Sequence, residues 1–368
     1  MKKTLLATAI IGALGASAAA QAATVYDEAG TKLEINGRIA MGIAGGGPEA
    51  AVDTNGDGVN DSVESNSAEF VDVYSRLGLS MSHELNSDLT AFGRVEWRFR
   101  GDERTGSGRV VDSNGDSING FSEVRHSYIG LRSNSWGTVQ AGNYDSFYNS
   151  YVAAPFDLYI DRGLEFTDRG IGGAKQARGD SFGYVTPDLQ GFTAFISGKH
   201  FSDRGEVEPT DGSEFATQGG AMFETGPVRL ALGYVDDISE GGGNDEILYG
   251  ATASYAINDA FSARLGYETR DENDTLGGGY DTVGLGGSYN INQWTFHADI
   301  YDVNPDDGDS RTSWALGSYY NLSSNFNIFL ELQQADQQSI SVFNDGGDII
   351  ETADGDDAYW LTGARYHF

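Results

Sequence analysis

Apolar and polar residues alternate along most of the chain with a period of two. In 33–43, Leu33, Ile35, Gly37, Ile39, Met41 and Ile43 fall on one face, and Glu34, Asn36, Arg38, Ala40 and Gly42 on the other. This is the pattern of a strand with one apolar and one polar side. Segment 71–82 repeats it, with Val71, Val73, Leu77, Leu79 and Met81 set against Asp72, Tyr74, Arg76, Ser80 and Ser82. In 89–100, Leu89, Ala91, Val95, Trp97 and Phe99 oppose Thr90, Arg94, Glu96, Arg98 and Arg100. The same reading predicts strands near 122–132, 137–143, 178–187, 191–200, 215–225, 228–236, 246–256, 260–270, 280–290, 294–303, 312–321, 326–336 and 356–368, sixteen in all. Beyond residue 22 no segment follows a 3.6-residue period.

The connections are sorted by length. Short ones fall at 86–88, 133–135, 187–190, 226–227, 258–259, 291–293 and 323–325, and between them lie longer stretches rich in Asp, Gly and Ser. Aromatic residues gather at strand ends, as with Trp97, Phe99, Tyr234, Tyr255, Tyr267, Tyr289 and Trp294. Short turns on one side, long loops on the other and aromatic girdles are the marks of an outer-membrane barrel. After the first 22 residues no run approaches the ~20 apolar residues of a membrane helix, whereas a closed barrel can span with alternating strands. The pattern therefore predicts an all-β membrane protein, a 16-stranded antiparallel transmembrane β-barrel. The last face, Trp360, Thr362, Ala364, Tyr366 and Phe368, ends the chain on an aromatic residue and suits a strand that seals against the first.

Composition refines this picture. A single large barrel fits 368 residues. Lys2 and Lys3, the apolar run 5–20 and Ala20, Gln21 and Ala22 make up a signal peptide over 1–22, leaving 23–368 as the barrel. There is no cysteine, so no disulfide contributes, and a barrel without free edges needs none. The 55 acids and 23 bases give −32; without the leader's two lysines, 21 bases face 55 acids and the charge is −34. That excess disfavours nucleic acid and anionic lipid as partners. The acids cluster at 53–64, 102–123, 202–214, 236–246, 302–309 and 344–357, within the long connections. Five histidines without metal spacing, no Cys and no G-x-S-x-G leave no enzymatic constellation.

Several segments resemble the trimeric general diffusion porins of Gram-negative outer membranes. They are 23–33 (ATVYDEAGTKL), Asn36-Gly37-Arg38, 75–79 (SRLGL), 89–97 (LTAFGRVEW), 125–143 (RHSYIGLRSNSWGTVQAGN), 178–192 (RGDSFGYVTPDLQGF) and the terminal Tyr366-His367-Phe368. The resemblance implies passive diffusion through a water-filled channel in the cell outer membrane, a homotrimer, and an inward-folded constriction loop at about 144–177. It implies no required cofactor, and it implies outer-membrane lipid and lipopolysaccharide as surroundings. The family's acidic Pro-Glu-Phe-Gly-Gly stretch is absent; Pro155-Phe156-Asp157 and Asp161 are the nearest equivalents.

A constriction of this kind sets lumenal arginines against loop carboxylates, and the transverse field orders water and dipolar solutes. The wall candidates are Arg38, Arg76, Arg94, Arg125 and Arg178, with Glu96 on the face of Arg94; the loop candidates are Asp157 and Asp161, then Glu165 and Asp168. The bland alternative is a set of solvated charges on a polar face. A second motif lies in the first long loop. Asp53, Asn55, Asp57, Gly58, Asp61 and Glu64 fit D-x-[DN]-x-[DN]-G-x5-E, an oxygen-ligand spacing suited to Ca²⁺. Asp112, Asn114, Asp116 and Glu123 nearly repeat it, with Ser117 in place of the glycine. An acidic, Gly-rich surface loop is the alternative for both. The function expected is an outer-membrane porin for small hydrophilic solutes and cations, probed against a substrate-specific channel and a surface adhesion or Ca-binding barrel.

Overall fold

The computed structural model describes residues 22–54, 58–99, 101, 110–111, 117–118, 121–160, 179–201, 214–239, 242–337, 339–344 and 349–368. Among them, eighteen strands form one hydrogen-bonded sheet. Two of these extend a neighbour end to end, so the sheet closes as a 16-stranded antiparallel barrel. The staves are β1 (Thr31–Gly46), β2 (Arg76–Glu84), β3 (Leu89–Phe99), β4 (Phe121–Ser133), β5 (Gly137–Asn143), β6 (Ser181–Val185), β7 (Phe192–Phe201) and β8 (Glu214–Thr225). They continue with β9 (Val228–Asp237), β10 (Glu246–Ala256), β11 (Phe261–Arg270), β12 (Tyr280–Ile291), β13 (Trp294–Pro305), β14 (Arg311–Asn321), β15 (Phe326–Gln334) and β16 (Tyr359–His367).

The seam lies between β16 and β1, with Arg38 opposite His367 and Gly46 opposite Tyr359. Below it the short strand Ala23–Glu28 pairs with 31–35 on the same edge of β1, prolonging β16. Gly37 and Phe368 exchange backbone hydrogen bonds of 2.9 and 3.1 Å where the two segments meet. Every backbone donor along such a closed ladder finds a partner, which is what the hydrocarbon demands.

Side chains alternate as expected. Ile39, Ile43, Ile129, Phe182, Ile196, Leu232 and Leu285 are exposed on the outside, while Asn36, Arg38, Gln218, Arg264, Glu268 and Asp299 are buried inside. The short turns close on their own side chains: Asn86 Oδ1 accepts from the amides of Asp88 and Leu89, and Asn258 Oδ1 accepts from those of Ala260 and Phe261. These are Asx turns, which is why Asn-Ser-Asp and Asn-Asp mark the reversals.

One predicted strand is corrected. Segment 71–82 is not continuous: Glu69–Asp72 pairs with 41–44, and β2 begins only at Arg76. Tyr74 sits at φ +59°, a left-handed conformation that interrupts the alternation. Val73, assigned to the outer face, is therefore buried inside against Ala40, Ile160 and Leu361.

Candidate functional site

The lumenal face of β1–β4 is a wall of arginines. Arg38 stands directly opposite Arg76, and Arg76 opposite Arg98. Like charges at paired positions repel, and one carboxylate relieves them. Glu96 is 2% exposed and receives Arg94 at 2.5 Å, Arg125 at 3.2 Å and Arg76 at 3.5 Å. Arg125 reaches it through a β-bulge: Val124 pairs with Trp97 and His126 with Glu96, so Arg125 is the extra residue. A bulge re-aims one side chain without ending the ladder; here Arg125 and His126 both point inward. Arg98 bonds Glu123 at 3.2 Å and lies over the Tyr74 ring, and Arg38 donates to the Tyr74 carbonyl at 3.1 Å.

The loop after β5 turns into the barrel. Its described part, 144–160, covers the opposite wall, and its anchors are chemical as well as apolar. Ser146 Oγ and the Tyr148 amide both donate to Gln218 Oε1, at 2.7 and 2.9 Å. The Tyr148 and Tyr280 phenols donate to the two oxygens of Glu268 at 2.6 and 2.7 Å. Tyr159 donates to Asp299 at 2.7 Å, and Arg264 holds that carboxylate at 2.7 and 2.5 Å. Glu331 accepts from the Ile160 amide and the Tyr319 phenol, each at 2.6 Å. Thr252 and Arg229 donate to the carbonyls of Val152 and Tyr151.

Between these anchors Phe147, Tyr148, Val152 and Phe156 pack into the wall. Two glycines make the fit possible. A Cβ on Gly250 would overlap the Tyr148 hydroxyl, and one on Gly284 would press on Phe156 at 3.0 Å. The loop thus lies flat against one half of the barrel and narrows the lumen. On the open side Arg76 and Arg94 remain partly exposed to the lumen, with side chains 19% and 28% accessible.

Two loop carboxylates look across. Asp157 is exposed in the lumen, within electrostatic reach of Asp145, Arg76, Arg125 and Arg38. Asp145 accepts from His126 at 3.0 Å at the root of the loop. The expected Arg38, Arg76, Arg94, Arg125 and Glu96 are thus gathered on one wall, and Asp157 faces them. Asp161, Glu165, Asp168 and Arg178 lie outside the described residues. Sequence reasoning missed Asp145, His126, Gln218, Glu268, Asp299 and Glu331. The last three carried a signal: each is an acid on the inner face of a mid-barrel strand.

Of the first Ca²⁺ motif, Asn55 and Asp57 lie outside the described residues. Asp53 accepts from the Gly58 amide at 2.7 Å, and Asp61 accepts from the Thr54 amide and hydroxyl at 3.0 and 2.7 Å. Strands Ala50–Val52 and Ser62–Glu64 form the hairpin that carries them. Of the second motif, Asp112, Asn114 and Asp116 lie outside the described residues; Glu123 belongs to β4 rather than to a loop, with Arg98 as its partner. Among the described residues no three His, Cys, Asp or Glu gather as metal ligands.

A closed 16-stranded barrel, apolar outside, lined with charge and narrowed by an inward loop, defines a transmembrane diffusion channel. A family model for Gram-negative porins matches residues 7–339, and the chain belongs to that family. It is similar to a "Monosaccharide porin" of Halomonas sp, 30% identical over 82% of this chain and 78% of that protein. It is similar to "Outer membrane porin F" of Salmonella typhimurium, 25% identical over 96% of this chain and 74% of that protein. Among solved structures it resembles an "Anion-selective porin from Comamonas acidovorans", with TM-score 0.64, 18% identity and 92% and 100% of the two chains covered. The protein is an outer-membrane porin, and its place is the outer membrane of a Gram-negative cell.

Proposed function

We propose that this porin passes small hydrophilic solutes and ions by passive diffusion, with a preference for cations, and that it works as a homotrimer set in phospholipid and lipopolysaccharide. The observation that supports the preference is where the charge sits. The acids crowd into the long connections, at 53–64, 102–123, 202–214, 236–246, 302–309 and 344–357, whereas Arg38, Arg76, Arg94, Arg98 and Arg125 gather on the wall of β1–β4. Acidic loops around the mouth raise the local concentration of cations. The arginine wall opposes this at one point, but Glu96 offsets part of its charge, and Asp157 and Asp145 face it.

The preference depends on long-range fields, so it weakens as salt shortens the Debye length from about 10 Å at 0.1 M to about 3 Å at 1 M. Reversal potentials in planar bilayers under a KCl gradient test this. Cation preference that fades with salt is expected, and anion preference overturns it.

A second reading, a substrate-specific channel, draws on the monosaccharide specificity in the name of the Halomonas relative. It requires saturable block of ion current by one sugar; current independent of sugar up to high concentration leaves the general diffusion reading. We also read residues 1–22 as the export signal. N-terminal sequencing of protein from purified envelopes is expected to begin at Ala23.

A further inference from the structure

The outer face of β11–β14 carries a slot that the diffusion function does not use. Register places Ala263 beside Gly287 and Gly287 beside Ala298. On β14 the small position drops one pair toward the short-turn rim, where Ser318 stands opposite Phe296. Gly287, Ala298 and Ser318 floor a recess of about 420 Å³ that Leu316, Leu330 and Leu332 line at its β14–β15 end. Four neighbouring strands at ~4.8 Å spacing make it roughly 14 Å long.

Both sides of the slot are ridges. Toward the short-turn rim stand Phe261, Tyr289 and Phe296, paired across the strands and stacked at 4.5 and 6.4 Å between ring centres. Trp294 stacks on Phe296 at 5.6 Å and contacts Tyr320 at 4.8 Å, continuing the aromatic band to the rim. Such a band marks the membrane interface, and here it marks the periplasmic one, since the short turns face the periplasm in this family of barrels. Leu316, Leu330 and Leu332 line the recess on β14 and β15, and the exposed Leu265, Leu285 and Ile300 continue the apolar surface beyond it toward the membrane centre. No acidic or basic side chain points outward into the slot.

We propose that this slot binds one acyl chain of a phospholipid in the periplasmic leaflet. Its position settles which lipids can reach it, because it begins at the interface band and runs obliquely into the hydrocarbon. Its length matches one leaflet, roughly 15 Å or half the hydrocarbon thickness. A second copy of the chain is a poor occupant, since a stable protein interface covers about 800 Å² on each partner and a slot one chain wide offers far less.

Filling the floor tests the proposal. A Cβ on Gly287 meets only the Ser262 carbonyl oxygen, at 3.5 Å, so Gly287→Leu fills the slot without disturbing the wall. Ala298→Leu fills it from the next strand, and Ala251→Leu, on the exposed outer face of β10, is the control. Each protein is purified in mild detergent, incubated with 1-palmitoyl-2-oleoyl-phosphatidylethanolamine and weighed by native mass spectrometry. Wild type and Ala251→Leu are expected to retain one lipid per chain, and the two slot variants to lose at least tenfold with the oligomer intact. Equal retention in all four proteins, or no lipid on wild type, overturns the proposal. Dissociation of the oligomer in both slot variants also overturns it, by assigning the slot to a second copy.

Discussion

The two halves of the lumenal wall carry the same residue types and use them in opposite ways. Along β1–β4, Arg76, Arg94 and Arg125 share the single carboxylate of Glu96, Arg38 donates to the Tyr74 carbonyl beside them, and Arg76 and Arg94 stay partly open to the channel. Along β8–β15, Gln218, Glu268, Asp299 and Glu331 are covered by loop 144–160 and spent on holding it. The first half supplies a field, and the second supplies a foundation. Alternation puts both sets on the inner face and cannot tell them apart. What separates them is a loop from elsewhere in the chain that covers one half and leaves the other wet.

The comparison breaks most severely if the foundation is removed. Phe156 is fully buried between Tyr301, Gly284 and the Arg264 guanidinium. Phe156→Ala is expected to cost about 3–5 kcal/mol in packing. Much of this is local, because the barrel ladder does not depend on the loop. The expected result is a folded barrel with larger, noisier single-channel conductance. Unchanged conductance would show that the described stretch of the loop does not set the width.

Removing the hub of the arginine wall is the next largest test. Glu96→Gln keeps the shape but leaves three guanidinium groups without their shared anion. Breaking a buried pair costs about 3–5 kcal/mol, and lumenal water lowers the expected loss here to roughly 2 kcal/mol. Unfolding in guanidinium should shift to lower denaturant, and the reversal potential should move toward anions. If selectivity stayed fixed while stability fell, Glu96 would be structural only.

Much of this organisation was legible in the sequence. Sixteen strands follow from period two, and the turns from Asn, Asp, Gly and Pro at fixed intervals. Arg38, Arg76, Arg94 and Glu96 fell on the inner face by alternation alone. Arg125 did not, because the bulge at Val124 shifts the count by one and nothing local announces it. Val73 was misplaced for a similar reason, since the left-handed Tyr74 is imposed by contacts around the site rather than by a glycine. Asp299 and Glu331 were visible as inner acids, but their partners Tyr159 and Ile160 are more than a hundred residues away. Tyrosines in a loop read as aromatic content, and only the fold shows which carboxylate each one meets.

A smaller effect probes the base of the arginine half. Asp88, in the turn between β2 and β3, accepts from Ser133 at 2.6 Å and Ser135 at 2.9 Å, tying that turn to the one between β4 and β5. These hydroxyl bonds hold its carboxyl below the ordinary carboxylate value. A group depressed in the folded state adds stability above its unfolded pKa and loses it as pH falls through the folded one. The contribution is therefore full at neutral pH and disappears only in acid below the usual carboxylate range. Asp88→Asn is expected to flatten the acid limb of the stability profile slightly and leave neutral conductance unchanged. An identical acid limb in wild type and variant would remove the turn from the account.

The smallest expected effect concerns the mouth and separates it from both walls. The spacing at 53–64 suits Ca²⁺, yet Asp53 and Asp61 already accept hydrogen bonds from their own loop. A bound ion must displace some of these, which places the affinity in the weak range of extracellular sites, about 10⁻⁴–10⁻³ M. Calorimetric titration of the detergent-solubilised protein should show weak heat that Asp53→Ala with Asp57→Ala abolishes. In bilayers, millimolar Ca²⁺ should reduce the cation preference of wild type more than that of the double variant, because the ion neutralises charge at the entrance and touches neither wall. No heat at millimolar ion, or the same heat in the double variant, rules the site out and leaves the loop as acidic surface. Either way, the selectivity that survives saturating Ca²⁺ is the joint contribution of the other acidic connections and the constriction, and the Glu96→Gln variant measured under the same Ca²⁺ separates the two.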